Sequence, residues 1–109
     1  MLAVIEQNRA VVEGLCRQYG VRRLDVFGSA TSDAFDAAHS DIDLLVEFKP
    51  DYDLGPWMRH YFELRDLLAG VLDRNVDLVM ADSVTNPYLV QAIQTSRRPI
   101  YTLEIPQTA

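Results

Sequence analysis

The sequence predicts an α/β (α+β) domain, a small mixed β-sheet of three to four strands packed with three to four helices. Three observations carry this. Apolar residues recur at helical spacing in three separate stretches, and between them lie short runs that alternate with a period of two. Glycine and proline punctuate the boundaries. The order reads helix, strand, strand, helix, strand, helix, with one further strand at the end. The chain has 109 residues and no internal repeat, linker or low-complexity stretch, so residues 1–109 form a single domain.

Each element has its own justification. Ile5, Val12, Leu15, Cys16 and Tyr19 define one helix over most of residues 2–19, which Gly20 stops. Arg22 to Phe27 is a short strand ended by Gly28-Ser29, and the polar, small stretch Thr31 to Ala38 follows, with room for one helical turn begun by Ser29. Asp41 to Phe48 is the second strand, with Ile42, Leu44, Val46 and Phe48 on the core face. Residues 49–56 hold two prolines and a glycine and read as a loop. Trp57, Tyr61, Leu64, Leu67 and Leu68 define a helix that closes near Gly70. Asn75 to Met80 is a third strand, with Val76 and Leu78 on one face and Asp77 on the other. Asp82 or Ser83 can cap a last helix carrying Tyr88, Leu89, Ala92 and Ile93, although Pro87 favours a start after Asn86. Pro99 to Leu103 suits an edge strand, the proline being its first residue.

Composition excludes several classes of function. A formal charge of −6 argues against nucleic-acid binding, because phosphate contacts need a basic face. No apolar run approaches the ~20 residues of a membrane span, and the N-terminus lacks the basic region of a signal peptide. A single cysteine, Cys16, excludes an internal disulfide and fits a reducing cytoplasm; its helical neighbours make it a core residue rather than a nucleophile.

The chemistry lies in carboxylates. Asp41 and Asp43, two residues apart in a strand, share a face opposite the core. No Lys or Arg lies between them, so they repel each other, and a divalent cation removes that repulsion. Asp77 occupies the same kind of position in the third strand, and if the two strands are neighbours three carboxylates converge. Hard oxygen ligands suit Mg2+, which takes its remaining ligands from water and phosphate. Two such ions about 3.5–4 Å apart clamp the attacking and leaving oxygens of a displacement at phosphorus. Asp41 and Asp43 would hold both ions, while Asp77 would complete the second and help deprotonate an incoming hydroxyl. Gly28 lets the backbone approach a phosphate closely, and the turn amides with the Ser29 hydroxyl offer donors to a triphosphate.

The ordered set Val26-Phe27-Gly28-Ser29-Ala30, Ser40-Asp41-Ile42-Asp43-Leu44-Leu45-Val46-Glu47-Phe48 and Val76-Asp77-Leu78-Val79 resembles the minimal nucleotidyltransferases of the polymerase-β-like superfamily. Asn86-Pro87-Tyr88 and Ile100-Tyr101 resemble the tail of such proteins, so nearly the whole chain is covered. The resemblance implies a nucleotidyltransferase fold in which Gly28 and Ser29 bind nucleotide phosphates and Asp41, Asp43 and Asp77 bind Mg2+. It also implies an antitoxin that transfers AMP from ATP to a tyrosine of a HEPN-domain toxin partner, in a hetero-oligomer. The sequence departs from the family where many relatives carry Arg-Gly shortly after Gly-Ser and this chain has Ser32-Asp33. A lost arginine removes a charge-assisted phosphate contact of about 1.5–3 kcal/mol.

Other residues have blander readings. His39 is an exposed loop histidine and His60 a surface one. Trp57 and Tyr61 are core rather than a platform for a base, Asp51 and Asp53 are solvated, and Glu47 is an additional candidate for the metals because it shares the face of Asp43. Arg97-Arg98 follows a helix end, where cations suit the dipole. Three functions compete: nucleotidyl transfer to a protein hydroxyl, neutralisation of a partner by occlusion alone, and transfer to a small molecule. The third normally needs an additional domain to hold the acceptor. The acceptor must then come with a partner or with a second copy of this chain, which makes a homodimer the alternative assembly.

Overall fold

The computed structural model describes residues 3–28 and 41–103. Ser29, Ser32-Asp33 and His39 lie outside the described residues. Helices α1 (Ala3–Gln7) and α2 (Arg9–Gln18) lead into strand β1 (Val21–Phe27), and β2 spans Ile42–Phe48. Helix α3 (Arg59–Leu72) connects to β3 (Val76–Met80), and α4 (Pro87–Ser96) connects to β4 (Arg98–Thr102). The sheet order is β3-β2-β1-β4. The pair β2/β3 is parallel, as the α3 crossover requires, whereas β1 runs antiparallel to both β2 and β4.

The sheet is covered on both faces. On one face Leu24, Val26, Ile42, Leu44, Val46 and Leu78 pack with Ile5, Val12 and Cys16 of α1 and α2 and with Leu64, Leu68 and Leu72 of α3. On the other, Phe27 and Leu45 form a smaller cluster with Ile93 of α4. Cys16 is core as expected, and burial pushes its thiol up to about 12. Such a thiol is not a nucleophile at neutral pH.

The elements match the sequence pattern with local differences. The first helix is two segments broken at Asn8, whose side-chain amide donates to the Val4 carbonyl at 2.8 Å and competes with the helical ladder. Helix α3 does not close at Gly70; it continues to Leu72, whose side chain is buried, and ends at Asp73 in the left-handed region. Leu67 faces outward, because the buried stripe is Leu64, Leu68 and Leu72 at spacing four. Trp57 is not core: it and Met58 have φ of 58° and 57° in a short turn before α3, and Trp57 is 94% exposed. His60 is not a free surface residue, since its ring packs against Tyr19 and Tyr52 and its Nδ1 shares a 2.9 Å hydrogen bond with the Tyr52 hydroxyl. Asn86 caps α4 by accepting from the Tyr88 amide, and only Ile93 of the expected apolar face is fully covered. In β4, Arg98 precedes the proline, and the strand lies at the sheet edge beside β1.

Candidate active site

Strand polarity brings three chain segments to one end of the sheet. Strands β2 and β3 are parallel and begin there, while the antiparallel β1 ends there. Register completes the arrangement. Asp43 lies opposite Asp77 on one side and opposite Phe27 on the other. The expected neighbourhood of the second and third strands is therefore present, with Asp43 and Asp77 on adjacent strands. Asp41 lies one residue before β2, exposed; Asp77 is also exposed, and Asp43 is half-buried between them.

Gly28 closes the site from β1. Its φ is +72°, a conformation glycine adopts freely, and a Cβ built there would stand 2.8 Å from Asp43 Oδ2. The turn thus runs against the Asp43 carboxylate, and the absence of a side chain makes that approach workable. The Gly28 N–H donates to Ser96 Oγ of α4 at 2.9 Å.

The electrostatics follow. Burial, then the Asp77 and Asp41 carboxylates, push the Asp43 pKa up from its ordinary value. A half-buried carboxylate with two like-charged neighbours is what a bound cation would relieve. Among the described residues, no three His, Cys, Asp or Glu side chains are close enough to make a ready cage. The donor set still fits Mg2+, which is reluctant to shed water and is held by one or two carboxylates with substrate phosphates supplying the rest. Glu47 shares the sheet face but pairs with Arg22 at 3.3 Å. Tyr61 donates its hydroxyl to the Leu78 carbonyl on the outer strand β3.

One feature escapes sequence reasoning. Asp25 is fully buried on the same face as Phe27, held by Arg97 of the α4 terminus (Nε to Oδ2 2.6 Å) and by Arg23 (Nε to Oδ1 3.1 Å). The available signal is the strand alternation, which puts Asp25 on a covered face, together with the paired arginines at 97–98.

The model of the nucleotidyltransferase domain family matches residues 9–100. The chain belongs to that family. It is similar to two Methanocaldococcus jannaschii proteins named, by assignment, as protein adenylyltransferases. One is 38% identical over 82 residues, covering 73% of this chain and 76% of the relative; the other is 35% identical over 77 residues, covering 71% and 74%. The nucleotidyltransferase domain also superimposes on a structure described as a minimal nucleotidyltransferase, with a TM-score of 0.70, 29% identity, and coverage of 87% of this chain and 91% of that one. A toxin–antitoxin crystal structure with AMP-PNP gives a TM-score of 0.66 at 26% identity, covering 94% and 76%. A Shewanella oneidensis complex of a tri-AMPylated HEPN toxin with its MNT antitoxin gives 0.63 at 25% identity, covering 91% and 73%. The mixed sheet with four helices is thus the minimal nucleotidyltransferase fold, and the protein is a nucleotidyltransferase.

Proposed function

We propose that this nucleotidyltransferase transfers AMP from ATP to a tyrosine hydroxyl of a HEPN-domain toxin and so acts as its antitoxin. The observation that carries the reading is the register pair Asp43–Asp77 beneath the Gly28 turn. Asp41, Asp43 and Asp77 would hold Mg2+, which supplies charge neutralisation at the phosphate oxygens. Gly28 and Ser29 would take the triphosphate. Asp77, which is exposed, would accept the proton of the incoming hydroxyl. The acceptor oxygen bonds to the α-phosphorus, the α–β bridging bond breaks, and pyrophosphate leaves with its electron pair.

Two further points support a protein acceptor. The relatives named for transfer onto proteins match about three quarters of this chain in sequence, and the AMP-PNP and AMPylated-toxin complexes share its fold. Among the described residues no helix is long and apolar enough to cross a membrane. A free Cys16 and a need for ATP suit the cytoplasm. Occlusion without catalysis is the second reading, and it is the substitution of Ser32-Asp33 for Arg-Gly that favours it.

The test is co-expression with a HEPN-domain partner, addition of ATP and Mg2+, and intact-mass measurement of the partner. Increments of AMP that vanish with Asp43→Asn support transfer. A neutralised, unmodified partner in a tight complex overturns it in favour of occlusion.

A further inference from the structure

We propose that the cleft between α4 and the sheet is the nucleobase subsite, and that Gln94 selects adenine there. This rests on the reading that the Asp43–Asp77 pair serves the phosphates of a nucleotide. The cleft has a volume of about 260 Å3; Leu45 lines it from β2, and Val84, Val90 and Ile93 line it further, with Gln94 and Arg97 of the α4 end as its polar groups. Its place in the fold decides what can enter. Leu45 follows Asp43 by two residues in β2, so both lie on one face of the sheet, as Val79 and Asp77 do in β3. In a strand that step is about 7 Å. The cleft thus begins one pleat from the carboxylate pair, a gap that a ribose bridges when its 5′ phosphate sits at the carboxylates. The volume lies below the roughly 300–1,000 Å3 of pockets that enclose a whole drug-sized ligand. It suits one flat ring system with the rest of the molecule outside.

The lining is apolar apart from two groups, and those two decide which ring fits. Arg97 is fixed by its bond to the buried Asp25, so a planar guanidinium is held in place at the cleft and offers a surface for stacking. Gln94 is exposed, and its amide makes no hydrogen bond to another described residue. A carboxamide presents a donor beside an acceptor. Adenine presents the complementary pair, its N6 amino group beside N7, whereas guanine presents two acceptors, O6 beside N7. Gln94 therefore matches adenine with both of its atoms and guanine with one. A phenol ring in the cleft would leave that amide unused, because the only polar atom of a tyrosine acceptor is the one that reacts.

The experiment is calorimetric titration of the full chain with the Mg2+ complexes of α,β-methylene ATP, α,β-methylene GTP and tripolyphosphate, which has no base. Wild type, Gln94→Ala and Val90→Phe are compared, with thermal unfolding of each in the absence of ligand. Gln94→Ala should bind the ATP analogue about three- to tenfold more weakly and lose its preference over the GTP analogue. Val90→Phe fills the cleft from α4 and should weaken both nucleotides by about tenfold or more. Tripolyphosphate should bind all three proteins alike. Gln94 is exposed, so its variant folds as wild type does and decides the proposal should Val90→Phe be unstable. Wild-type affinity and preference in both variants overturn the subsite and leave the phosphate reading intact; slower AMP transfer to the partner in the same variants would then give the cleft to the acceptor ring. A parallel loss of tripolyphosphate binding marks a general disturbance and overturns the subsite as well. No binding of any of the three ligands by wild type overturns the nucleotide reading itself and this proposal with it.

Discussion

Replacing Asp43 by asparagine should make the metal-free protein more stable while removing its response to Mg2+. Asp43 and Asp77 are register partners on adjacent strands, where opposite Cβ atoms are about 5 Å apart. Two unit charges at that separation repel by about 3 kcal/mol at an effective dielectric near 20, and by about a quarter of that in bulk water. Asp77 is exposed and Asp43 half-buried, so screening places the repulsion near the lower end, at about 1 kcal/mol. Asparagine keeps the shape and removes the charge. For a domain of this size, about 1 kcal/mol corresponds to roughly 4–8 °C in the unfolding midpoint.

The dependence on pH has a definite sign. The Asp43 pKa is raised in the folded state, by burial first and by Asp77 and Asp41 next, so the native protein holds this proton more tightly than the unfolded chain. The stabilisation is fully present below the unfolded value, near 4, and is lost as pH rises through the folded one. The advantage of Asp43→Asn should therefore be largest at neutral pH and vanish in acid. Thermal unfolding in EDTA and in 10 mM Mg2+, across that pH range, measures both effects. A destabilised Asp43→Asn in EDTA at pH 7, or an equal rise with Mg2+ in wild type and variant, would refute the electrostatic account of the site.

Three further outcomes are expected. Gly28→Ala should lose about 1–2 kcal/mol in urea unfolding, because a residue with a Cβ is strained at φ +72° and that Cβ would crowd the Asp43 carboxylate. Arg97→Met should lose about 2–3 kcal/mol, since Asp25 keeps only the more exposed Arg23; adding Asp25→Asn should recover part of the loss, a coupling that a double-mutant cycle measures. Trp57→Gly should raise stability by about 1 kcal/mol, because it relieves a left-handed backbone at a side chain that buries almost nothing; thermal unfolding checks it.

How much of this was legible in the residues depends on whether local pattern or distant partners decide each point. The alternation of Ile42, Leu44 and Val46 against Asp43 and of Leu78 against Asp77 is local, and it determined which side chains face the core and which face the site. That the second and third strands are neighbours follows from a helical crossover of ordinary length, and the register then sets Asp43 opposite Asp77. An aromatic at helical spacing reads as core, but at Trp57 the backbone before α3 turns left-handed and throws it outward. His60 errs in the opposite sense, because the rings of Tyr19 and Tyr52 that cover it come from other parts of the chain. Strand alternation puts Asp25 on a covered face, but what holds it there, like what holds Ser96, lies far off along the chain, 72 and 68 positions away.

The most direct test of the central claim, that the carboxylates under the Gly28 turn support transfer of a nucleotidyl group, is a label-partition measurement. The protein and a HEPN-domain partner are incubated with Mg2+ and ATP labelled at either the α- or the γ-phosphorus, and radioactivity in the partner is counted. The account predicts incorporation of the α label alone, release of the γ label as pyrophosphate, and loss of incorporation in Asp43→Asn. Incorporation of the γ label, or α incorporation that survives Asp43→Asn, would contradict it.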